Sequence, residues 1–261
     1  MADTETMLEV TNLTVSYGAI RALKGISFIV EQGEIISLIG SNGAGKTTMF
    51  NIITASYMPT TGEVIFDGVN LKGIKPHKIV NLGISRTFQN IRLFSSMSVL
   101  ENVLIGLNSA TKYSFVEAIL HFGRFHKSEK TAKAKAMEIL SELGIEKFAN
   151  EKATSLAYGI QRKVEIARAL ATNPKLLLLD EPAAGMNPRE SDDLANLIFD
   201  LRKRKNLTVL LIEHDMKFVN RLCDRVLVLD YGKVIFEGKP SDAARNKDVI
   251  SAYLGDVDDI G

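Results

Sequence analysis

The most informative stretch of this chain is Gly40-Ser41-Asn42-Gly43-Ala44-Gly45-Lys46-Thr47-Thr48. It follows an apolar run at residues 35–39 that is typical of a buried strand, and the residues after it have the pattern of a helix. The glycines let the backbone curl so that successive N–H groups point into one concavity, and the helix adds the positive end of its dipole. The stretch therefore predicts a cradle for a polyphosphate.

Two side chains in this cradle have the chemistry that a bound polyphosphate requires. Lys46 is expected to reach the outer phosphate oxygens as a point charge, and the hydroxyl of Thr47 is expected to bind Mg²⁺. The alternative is a glycine-rich turn that merely starts a helix. The strand before the stretch and the helix after it favour the phosphate cradle, because that context is what the motif requires.

Composition excludes several other classes of function. Among 261 residues, Lys and Arg number 32 and Asp and Glu 31, so the net charge of +1 predicts no nucleic-acid partner. A single cysteine, Cys223, excludes an intrachain disulfide and a cysteine-based zinc site. The first residues are acidic and polar rather than signal-like, and apolar runs such as residues 176–179 are too short to span a bilayer. We therefore expect a cytoplasmic protein.

The spacing of apolar residues indicates the fold. Residues 8–30 alternate as half-buried strands do, whereas later runs are continuously apolar, as in strands buried on both faces of a parallel sheet. The continuous runs are residues 35–39, 176–179 and 208–212, the main helical stretches are 160–172 and 187–205, and a hairpin is expected around Tyr231-Gly232. This alternation of strands and helices predicts an α/β fold.

The middle of the chain has a different pattern. Between residues 91 and 155 the strand signal disappears, and apolar residues at helical spacing predict helices over 99–107, 114–125 and 129–143. This region is expected to be an α-helical subdomain inserted into the sheet domain. Residues 114–125 are rich in aromatic side chains, for which core packing is the favoured interpretation and a surface that docks a membrane partner is the alternative.

Charged residues follow two of the buried runs. In Leu176-Leu177-Leu178-Leu179-Asp180-Glu181 two carboxylates stand at the exit of a strand, where Asp180 is suited to hold Mg²⁺ and Glu181 to orient or deprotonate an attacking water. His214 ends another strand of the same sheet, at the carboxyl edge where α/β proteins bind ligands. We therefore expect His214 to contact the terminal phosphate.

The order of these segments resembles that of the ATP-binding cassette (ABC) ATPases over nearly the whole chain. The segments are residues 40–48, Thr87-Phe88-Gln89, Leu156-Ala157-Tyr158-Gly159-Ile160-Gln161, residues 176–181 and His214. The pattern Leu-x-x-Gly-x-Gln at residues 156–161, called here the signature segment, is the specific one because it separates this family from other phosphate-loop proteins. The resemblance implies a P-loop NTPase core with an N-terminal antiparallel β subdomain and an inserted α-helical subdomain.

The expected domain division follows from this resemblance. Residues 1–261 form a single ABC ATPase domain, with the nucleotide-binding α/β core and β subdomain at 1–90 and 156–240, the helical subdomain at 91–155, and a C-terminal helix and tail at 241–261. Within the family the chain resembles the larger ATPase subunit of branched-chain amino-acid importers. That narrower resemblance rests on Leu-Ala-Tyr-Gly in the signature segment, Asp-Glu-Pro-Ala-Ala-Gly-Met-Asn-Pro at 180–188, Ile-Glu-His-Asp-Met at 212–216 and Val-Ile-Ser-Ala-Tyr-Leu-Gly at 249–255.

The resemblance implies ATP and Mg²⁺ as ligands and a role for each motif. Tyr17 would stack on adenine, and Gln89 would sense Mg²⁺ and the attacking water while its loop reports to a membrane subunit. The residues expected to bind nucleotide are Tyr17, Ser41, Asn42, Gly43, Ala44, Gly45, Lys46, Thr47, Thr48, Gln89 and Asp180; Thr47, Gln89 and Asp180 would face the metal, and Lys46, Glu181 and His214 form the catalytic set. Leu156, Ala157, Tyr158, Gly159 and Gln161 would face the nucleotide held by a second, opposed subunit.

Two positions depart from the family pattern. Ala157 stands where the signature usually has Ser, which removes a hydroxyl that could bond the γ-phosphate, and Asn187 stands where many members carry Asp. A charge-assisted hydrogen bond of that kind contributes about 1.5–3 kcal/mol. Neither departure touches the phosphate cradle or the catalytic set, so the site that this chain supplies itself is expected to be competent.

The function that the resemblance implies is ATP hydrolysis that powers a membrane ABC transporter, foremost the import of branched-chain amino acids. Expected partners are integral membrane permease subunits, a second ATPase subunit in a homo- or heterodimer and, indirectly, an extracytoplasmic substrate-binding protein. The chain would then be peripheral on the inner face of the cell membrane.

Three alternatives stay open. They are the ATPase of a lipid or lipopolysaccharide exporter, a soluble non-transport ABC ATPase, and a non-hydrolysing ATP-gated module. The sequence carries no second cassette, long coiled coil or basic arm, which disfavours the soluble ATPase, and the presence of Glu181 and His214 disfavours the non-hydrolysing module.

Overall fold

A computed structural model describes residues 5–110 and 124–254, which form two β-sheets with helices packed around them. The strands are β1 (Thr6–Tyr17), β2 (Ile20–Glu31), β3 (Ile35–Gly40), β4 (Thr61–Phe66), β5 (Val69–Asn70), β6 (Ile84–Arg86), β7 (Leu176–Asp180), β8 (Thr208–Ile212), β9 (Arg225–Asp230) and β10 (Lys233–Gly238). The helices are α1 (Lys46–Ile53), α2 (Pro76–Leu82), α3 (Val99–Ala110), α4 (Arg124–Glu142), α5 (Tyr158–Leu170), α6 (Pro188–Lys205), α7 (Met216–Leu222), α8 (Pro240–Ala243) and α9 (Lys247–Leu254).

The larger sheet positions the candidate site. Its strand order is β10-β9-β3-β8-β7-β6, in which β9, β3, β8, β7 and β6 are parallel and β10 returns antiparallel to β9. Every residue of β3, β7 and β8 is buried, as their continuously apolar sequences predict. Because these strands are parallel, their carboxyl ends meet at one edge of the sheet.

The smaller sheet has the order β2-β1-β4-β5 and is antiparallel throughout, which confirms the expected N-terminal antiparallel β subdomain. Its buried face carries the alternating apolar residues of β1, namely Leu8, Val10, Leu13 and Val15. These side chains belong to one apolar cluster with α1 and with Ile36 and Leu38 of β3. The smaller sheet therefore covers one face of the larger sheet together with α1.

Helices cover the opposite face of the larger sheet. Ile35 and Ile39 of β3, which alternate with Ile36 and Leu38, belong to a second apolar cluster with side chains of α3, α4, α5 and α6. β3 is thus packed on both faces. This double burial accounts for the absence of any polar alternation in the strand.

The helices of the middle region follow the sequence pattern. α3 covers the expected helix at 99–107 and continues to Ala110, and α4 begins before the expected helix at 129–143 and ends at Glu142. The expected helix at 114–125 lies outside the described residues up to residue 123. α5 ends at Leu170 rather than 172, because the N–H groups of Thr172 and Asn173 donate to carbonyl oxygens only three residues earlier, at Ala169 and Leu170.

None of the helices in residues 5–110 and 124–254 has both the length and the apolar composition that crossing a membrane requires.

The crossing of α3 and α5 depends on Gly106, which generates a first prediction. A Cβ atom at this position would lie 2.2 Å from the carbonyl oxygen of Arg168 and 2.9 Å from Cβ of Ala171. Gly106→Ala is therefore expected to destabilise the chain by about 1–3 kcal/mol, although alanine favours helices intrinsically. The measurement is the free energy of unfolding in urea.

Gly159→Ala is the matched control, because Gly159 is also helical and its Cβ would meet only the end of the Glu190 side chain, at 3.4 Å. It should leave stability unchanged or raise it by up to about 1 kcal/mol. Equal effects of the two substitutions would contradict the close packing of α3 on α5.

Candidate functional site

The phosphate loop, residues 40–48, leaves the carboxyl end of β3 and enters α1 at Lys46. Glycine is required at two of its positions by the close approach of other chain segments. A Cβ on Gly40 would lie 2.1 Å from the carbonyl oxygen of Leu229, and one on Gly45, whose φ is 108°, would lie 2.5 Å from Cδ2 of Leu23. The loop is therefore pressed against β9 and β2, which fixes its concave shape.

Lys46 lies across its own loop. Its Nζ donates hydrogen bonds to the carbonyl oxygens of Gly40, at 2.6 Å, and Ser41, at 2.8 Å. Burial lowers the pKa of Lys46, and the nearby charges of Glu181 and Asp180 oppose that shift. Because an ammonium has three donors, one stays available for an anion in the loop.

The two carboxylates occupy the end of β7, as the sequence predicts. Asp180 is the last residue of the strand and only 6% exposed. Glu181 follows with a φ of 46°, and its N–H donates to the carbonyl oxygen of Ile212 at 2.9 Å. A left-handed backbone conformation is uncommon for glutamate, and residues held in it are often found at functional sites.

Gln89 and His214 are both brought to Glu181. Nε2 of Gln89 donates a hydrogen bond to Oε2 of Glu181 at 2.8 Å, and Nδ1 of His214 lies 4.0 Å from the same oxygen. The side chain of His214 is 63% exposed, so it can meet a ligand that enters from solvent. An amide and an imidazole thus lie within 4.0 Å of the Glu181 carboxylate, whose charge also acts on Lys46 of the phosphate loop.

Glu213 supports this arrangement and was not assigned a role from the sequence. Its side chain is buried and accepts hydrogen bonds from the N–H groups of Ala183, at 2.9 Å, His214, at 3.0 Å, and Asp215, at 3.4 Å. Burial raises the pKa of Glu213, and the backbone hydrogen bonds oppose that shift. The carboxylate joins the segment after Glu181 to the end of β8.

Arg86 is a second residue that sequence reasoning missed. It is the last residue of β6, and its Nη2 donates to Oδ2 of Asp180 at 2.8 Å while Nη1 donates to Oδ1 of Asn51, also at 2.8 Å. In the sequence, Arg86 can be noticed only as a charged residue directly before Thr87-Phe88-Gln89. The sequence alone could not say which carboxylate it meets.

A fully buried ion pair connects α5 to the backbone around Gln89. Arg162 and Glu165 are joined at 2.8 Å, and Arg162 also donates to the carbonyl oxygens of Phe88, at 2.6 Å, and Gln89, at 2.8 Å. Glu165 accepts from the N–H groups of Phe88 and Arg92, each at 3.4 Å. The helix that carries the signature segment therefore holds the Gln89 segment through both its carbonyl and its N–H groups.

The signature segment itself is not joined to the phosphate loop by any hydrogen bond within the described ranges. Ala157 is the N-cap of α5 and supplies no side-chain cap, Tyr158 is 41% exposed, and Nε2 of Gln161 donates to the carbonyl oxygen of Leu156 at 2.7 Å. Sequence reasoning placed the start of this helix two residues later.

Asn187, the second departure from the family pattern, has a clear structural role. It is the N-cap of α6, where Oδ1 accepts from the N–H of Glu190 at 3.0 Å and the Glu190 carboxylate accepts from the N–H of Asn187 at 3.1 Å. This reciprocal pair is a capping box.

Tyr17 lies at the end of the β1–β2 hairpin, whose Leu23 packs under Gly45 of the phosphate loop. Its ring is partly exposed and lies 4.6 Å from the ring of Tyr57, at an angle of 47°. Tyr57 was not singled out from the sequence. The pair forms a partly exposed aromatic surface that suits a stacked base.

The residues present fit Mg²⁺ best in combination with a nucleotide. In the described part of the chain no group of three or more His, Cys, Asp or Glu is arranged to hold a metal ion. The candidate ligands Thr47, Gln89 and Asp180 offer the hydroxyl, amide and carboxylate oxygens that Mg²⁺ prefers. Since Mg²⁺ is commonly bound by one or two protein groups together with phosphate oxygens, this donor set is suited to a metal–nucleotide complex.

A parallel sheet with a glycine-rich phosphate loop, paired carboxylates and a separate signature helix defines the class of ABC ATPases, and the comparisons agree. Residues 23–184 match the family described as ABC transporter. The chain therefore belongs to the ABC transporter family. Residues 233–259 match a second family, described as branched-chain amino acid ATP-binding cassette transporter.

Individual relatives extend this result. The chain is 45% identical over 251 residues to the high-affinity branched-chain amino acid transport ATP-binding protein BraF of Pseudomonas aeruginosa, covering 96% of this chain and 98% of that protein. It is 41% identical over 251 residues to the corresponding protein LivG of Escherichia coli K12, with the same coverage of 96% and 98%.

Solved structures support the fold and the class. The ADP conformation of MJ1267, an ATP-binding cassette of an ABC transporter, superposes with a TM-score of 0.84 at 33% identity, covering 97% of this chain and 100% of that chain. The dimeric structure of the bacterial ABC transporter cassette MJ0796 superposes with a TM-score of 0.76 at 30% identity, covering 90% and 99%.

The buried Arg162–Glu165 pair leads to a prediction about stability. Arg162→Met leaves the Glu165 carboxylate buried without its cation and two carbonyl groups without their donor. We expect a loss of about 3–5 kcal/mol in the free energy of unfolding, measured in urea.

Lys205→Met is the control, because it breaks a more exposed ion pair with Glu142. That change should cost about 0–1 kcal/mol. A cost for Arg162→Met no greater than that of the control would show that the buried pair does not hold the two segments together.

The uncapped amino end of α5 leads to a further prediction. Ala157→Ser introduces a hydroxyl at the N-cap, where it can accept from an amide of the first turn, so the ligand-free chain should gain about 1 kcal/mol in the free energy of unfolding.

Asn187→Ala, which deletes the working cap of α6, should lose about the same amount. The thermal unfolding midpoints of both variants are compared with the midpoint of the wild type. A serine variant with an unchanged midpoint beside a destabilised Asn187→Ala variant would mean that residue 157 does not cap α5.

Proposed function

We propose that this chain is the ATP-hydrolysing subunit of an ABC importer for branched-chain amino acids. The observation that carries the proposal is the meeting of Gln89, Glu181 and His214 beside Lys46 and Asp180 at one edge of the sheet. The specificity for branched-chain amino acids is supported by the match at residues 233–259 and by the names of the relatives.

In this proposal the phosphate loop binds the ATP phosphates. The amides of residues 42–48 donate to phosphate oxygens, and Lys46 places its remaining donor on the outer phosphates. The ring of Tyr17, which contacts the ring of Tyr57, receives the adenine. Thr47, Gln89 and Asp180 would hold Mg²⁺, which when bound would screen the phosphate charges.

Hydrolysis is assigned to the residues around Glu181. Its carboxylate accepts a proton from, or orients, the water that attacks the terminal phosphorus. Gln89 fixes that carboxylate by donating to Oε2, and His214 contacts the terminal phosphate from the exposed side. Glu213 holds the backbone that carries both groups.

The signature segment is assigned to a second ATPase subunit. Leu156, Ala157, Tyr158, Gly159 and Gln161 would face the nucleotide of that subunit, which is either a second copy of this chain or a different chain in the assembled transporter. Support comes from the exposure of Tyr158, the lack of hydrogen bonds from this segment to the phosphate loop in the described ranges, and the dimeric state of a related cassette.

The remaining parts of the proposal concern the assembly. Integral membrane permease subunits, served by an extracytoplasmic substrate-binding protein, would be the partners, and the chain would lie at the cytoplasmic face of the membrane. The chain would divide into a core at 1–90 and 156–240, a helical subdomain at 91–155 and a C-terminal part at 241–261.

The catalytic assignment predicts a separation of binding from turnover. Glu181→Gln keeps an acceptor for Gln89 and the shape of the side chain but removes the proton acceptor, so kcat should fall by about 10²–10⁴-fold while ATP affinity is retained. Steady-state ATPase assays and calorimetry measure the two quantities.

Lys46→Ala is the contrasting variant and should weaken ATP binding at least about tenfold, because it removes a charged phosphate donor. Lys133→Ala, an exposed lysine on α4, serves as the neutral control. A Glu181→Gln variant with near wild-type turnover would show that another residue acts as the base.

Transport itself is tested in the assembled complex. The chain is co-purified with its permease subunits and second ATPase subunit and reconstituted into vesicles, with ATP on the side that carries this subunit and the substrate-binding protein on the other side. Uptake of leucine, isoleucine and valine is then assayed. ATP-dependent uptake of these amino acids is expected. Stimulated movement of lipid without amino-acid uptake would instead favour an exporter.

A further inference from the structure

A buried ion pair between Arg86 and Asp180 lies at the candidate metal position. Arg86 donates from Nη2 to Oδ2 of Asp180 at 2.8 Å, and both side chains are only 9% exposed. Within residues 5–110 and 124–254, no other side chain donates a hydrogen bond to Asp180. The carboxylate expected to face Mg²⁺ is therefore already paired with a cation of the chain itself.

Arg86 is held in place by other parts of the structure. Its Nη1 donates to Oδ1 of Asn51 on α1 at 2.8 Å, and its guanidinium carbon lies 5.2 Å and 5.1 Å from the ring centres of Phe50 and Phe88. The backbone of Arg86 is paired with Leu178 in the sheet. Moving the guanidinium away from Asp180 would break the bond to Asn51 and both ring contacts, so Arg86 is a fixed partner.

The charges around the site explain why such a partner is needed. Asp180 and Glu181 are adjacent carboxylates, and a buried carboxylate is costly unless a cation and hydrogen bonds accompany it. Nζ of Lys46 donates to the carbonyl oxygens of Gly40 and Ser41 and makes no hydrogen bond to Asp180. Arg86 is thus the cation bonded directly to Asp180.

We propose that Arg86 is a positioning residue for the magnesium site, which neutralises Asp180 before the metal arrives and holds Oδ2 so that Oδ1 is left for Mg²⁺. The inference rests on the proposed function, because it takes this site to bind a magnesium–nucleotide complex. Carboxylates that ligate metals are commonly hydrogen-bonded in this way by a neighbouring group. The consequence is that the nucleotide meets a charge-balanced site even without metal.

The first test uses the chain without nucleotide. Arg86→Met should lower the thermal midpoint by about 6 °C or more in EDTA, and millimolar Mg²⁺ should restore part of that loss, because Asp180 then lacks a cation. The double variant Arg86→Met with Asp180→Asn should lose less and show no response to Mg²⁺.

Arg225→Met is the matched control. Arg225 pairs with Glu34 at 2.8 Å and also with Glu237, at the start of β9 and away from the carboxyl edge of the sheet. This variant should be destabilised without any response to Mg²⁺. An Arg86→Met variant that behaves in the same way would overturn the proposal and leave Arg86 with a purely structural role.

The second test measures ATP affinity by calorimetry in EDTA and in Mg²⁺. In Arg86→Met the ratio of the Kd in EDTA to the Kd in Mg²⁺ should be at least about tenfold higher than in wild type. The reason is that, without the metal, nothing offsets the repulsion between Asp180 and the ATP phosphates. An unchanged ratio would overturn the proposal, even if both affinities fall.

Arg86→Lys keeps the inference testable if the methionine variant fails to fold. Its ammonium still neutralises Asp180 but cannot bridge Asp180 and Asn51 as a planar fork does. The Kd ratio should stay near that of wild type, and a ratio raised tenfold would overturn the neutralising role. A wild-type chain that binds no ATP would refute the proposed function instead, while the nucleotide-free melting series would still decide the role of Arg86.

Discussion

The parallel pairing of β3, β6, β7 and β8 is the constraint on which the rest of the structure depends. It brings together residues that are distant in sequence, such as Gln89 and Glu181, which are 92 positions apart. Because β3, β7 and β8 are buried on both faces, a shift in register would disturb the core packing on either side of the sheet. The core, rather than the polar contacts of the site, therefore sets where Asp180 stands relative to the phosphate loop.

Buried ion pairs then connect this rigid edge to the helices. Arg162 and Glu165 bind the carbonyl and N–H groups around Gln89, and Gln89 in turn binds Glu181. Such pairs contribute little net stability compared with apolar residues of the same size, but breaking one is costly, so they favour a single arrangement. Any displacement of α5 relative to β7 consequently acts on Gln89 and, through it, on Glu181.

The sequence predicts the features that are repeated along the chain or confined to one segment. Continuous apolar runs identify β3, β7 and β8, and the glycine spacing identifies the phosphate loop. Short elements such as β5, with only Val69 and Asn70, carry no periodic signal and were not anticipated. Arg86 and Glu213 were missed for a different reason. Arg86 meets a carboxylate 94 residues away, and Glu213 meets the N–H of Ala183, 30 residues away, and only the folded chain brings these groups together.

The alanine in the signature segment can be understood from the same local physics. The N–H groups of Tyr158 and Gly159 have no hydrogen-bond acceptor in the described part of the chain, since Ala157 offers no side-chain oxygen. A serine hydroxyl at this position would accept a hydrogen bond from one of these N–H groups. Alanine leaves both N–H groups and the helix dipole for an incoming anion. For a segment that faces the nucleotide of another subunit, the missing hydroxyl removes one donor to the phosphate and also one competitor for the amides. The two effects oppose each other, so the departure need not weaken the composite site.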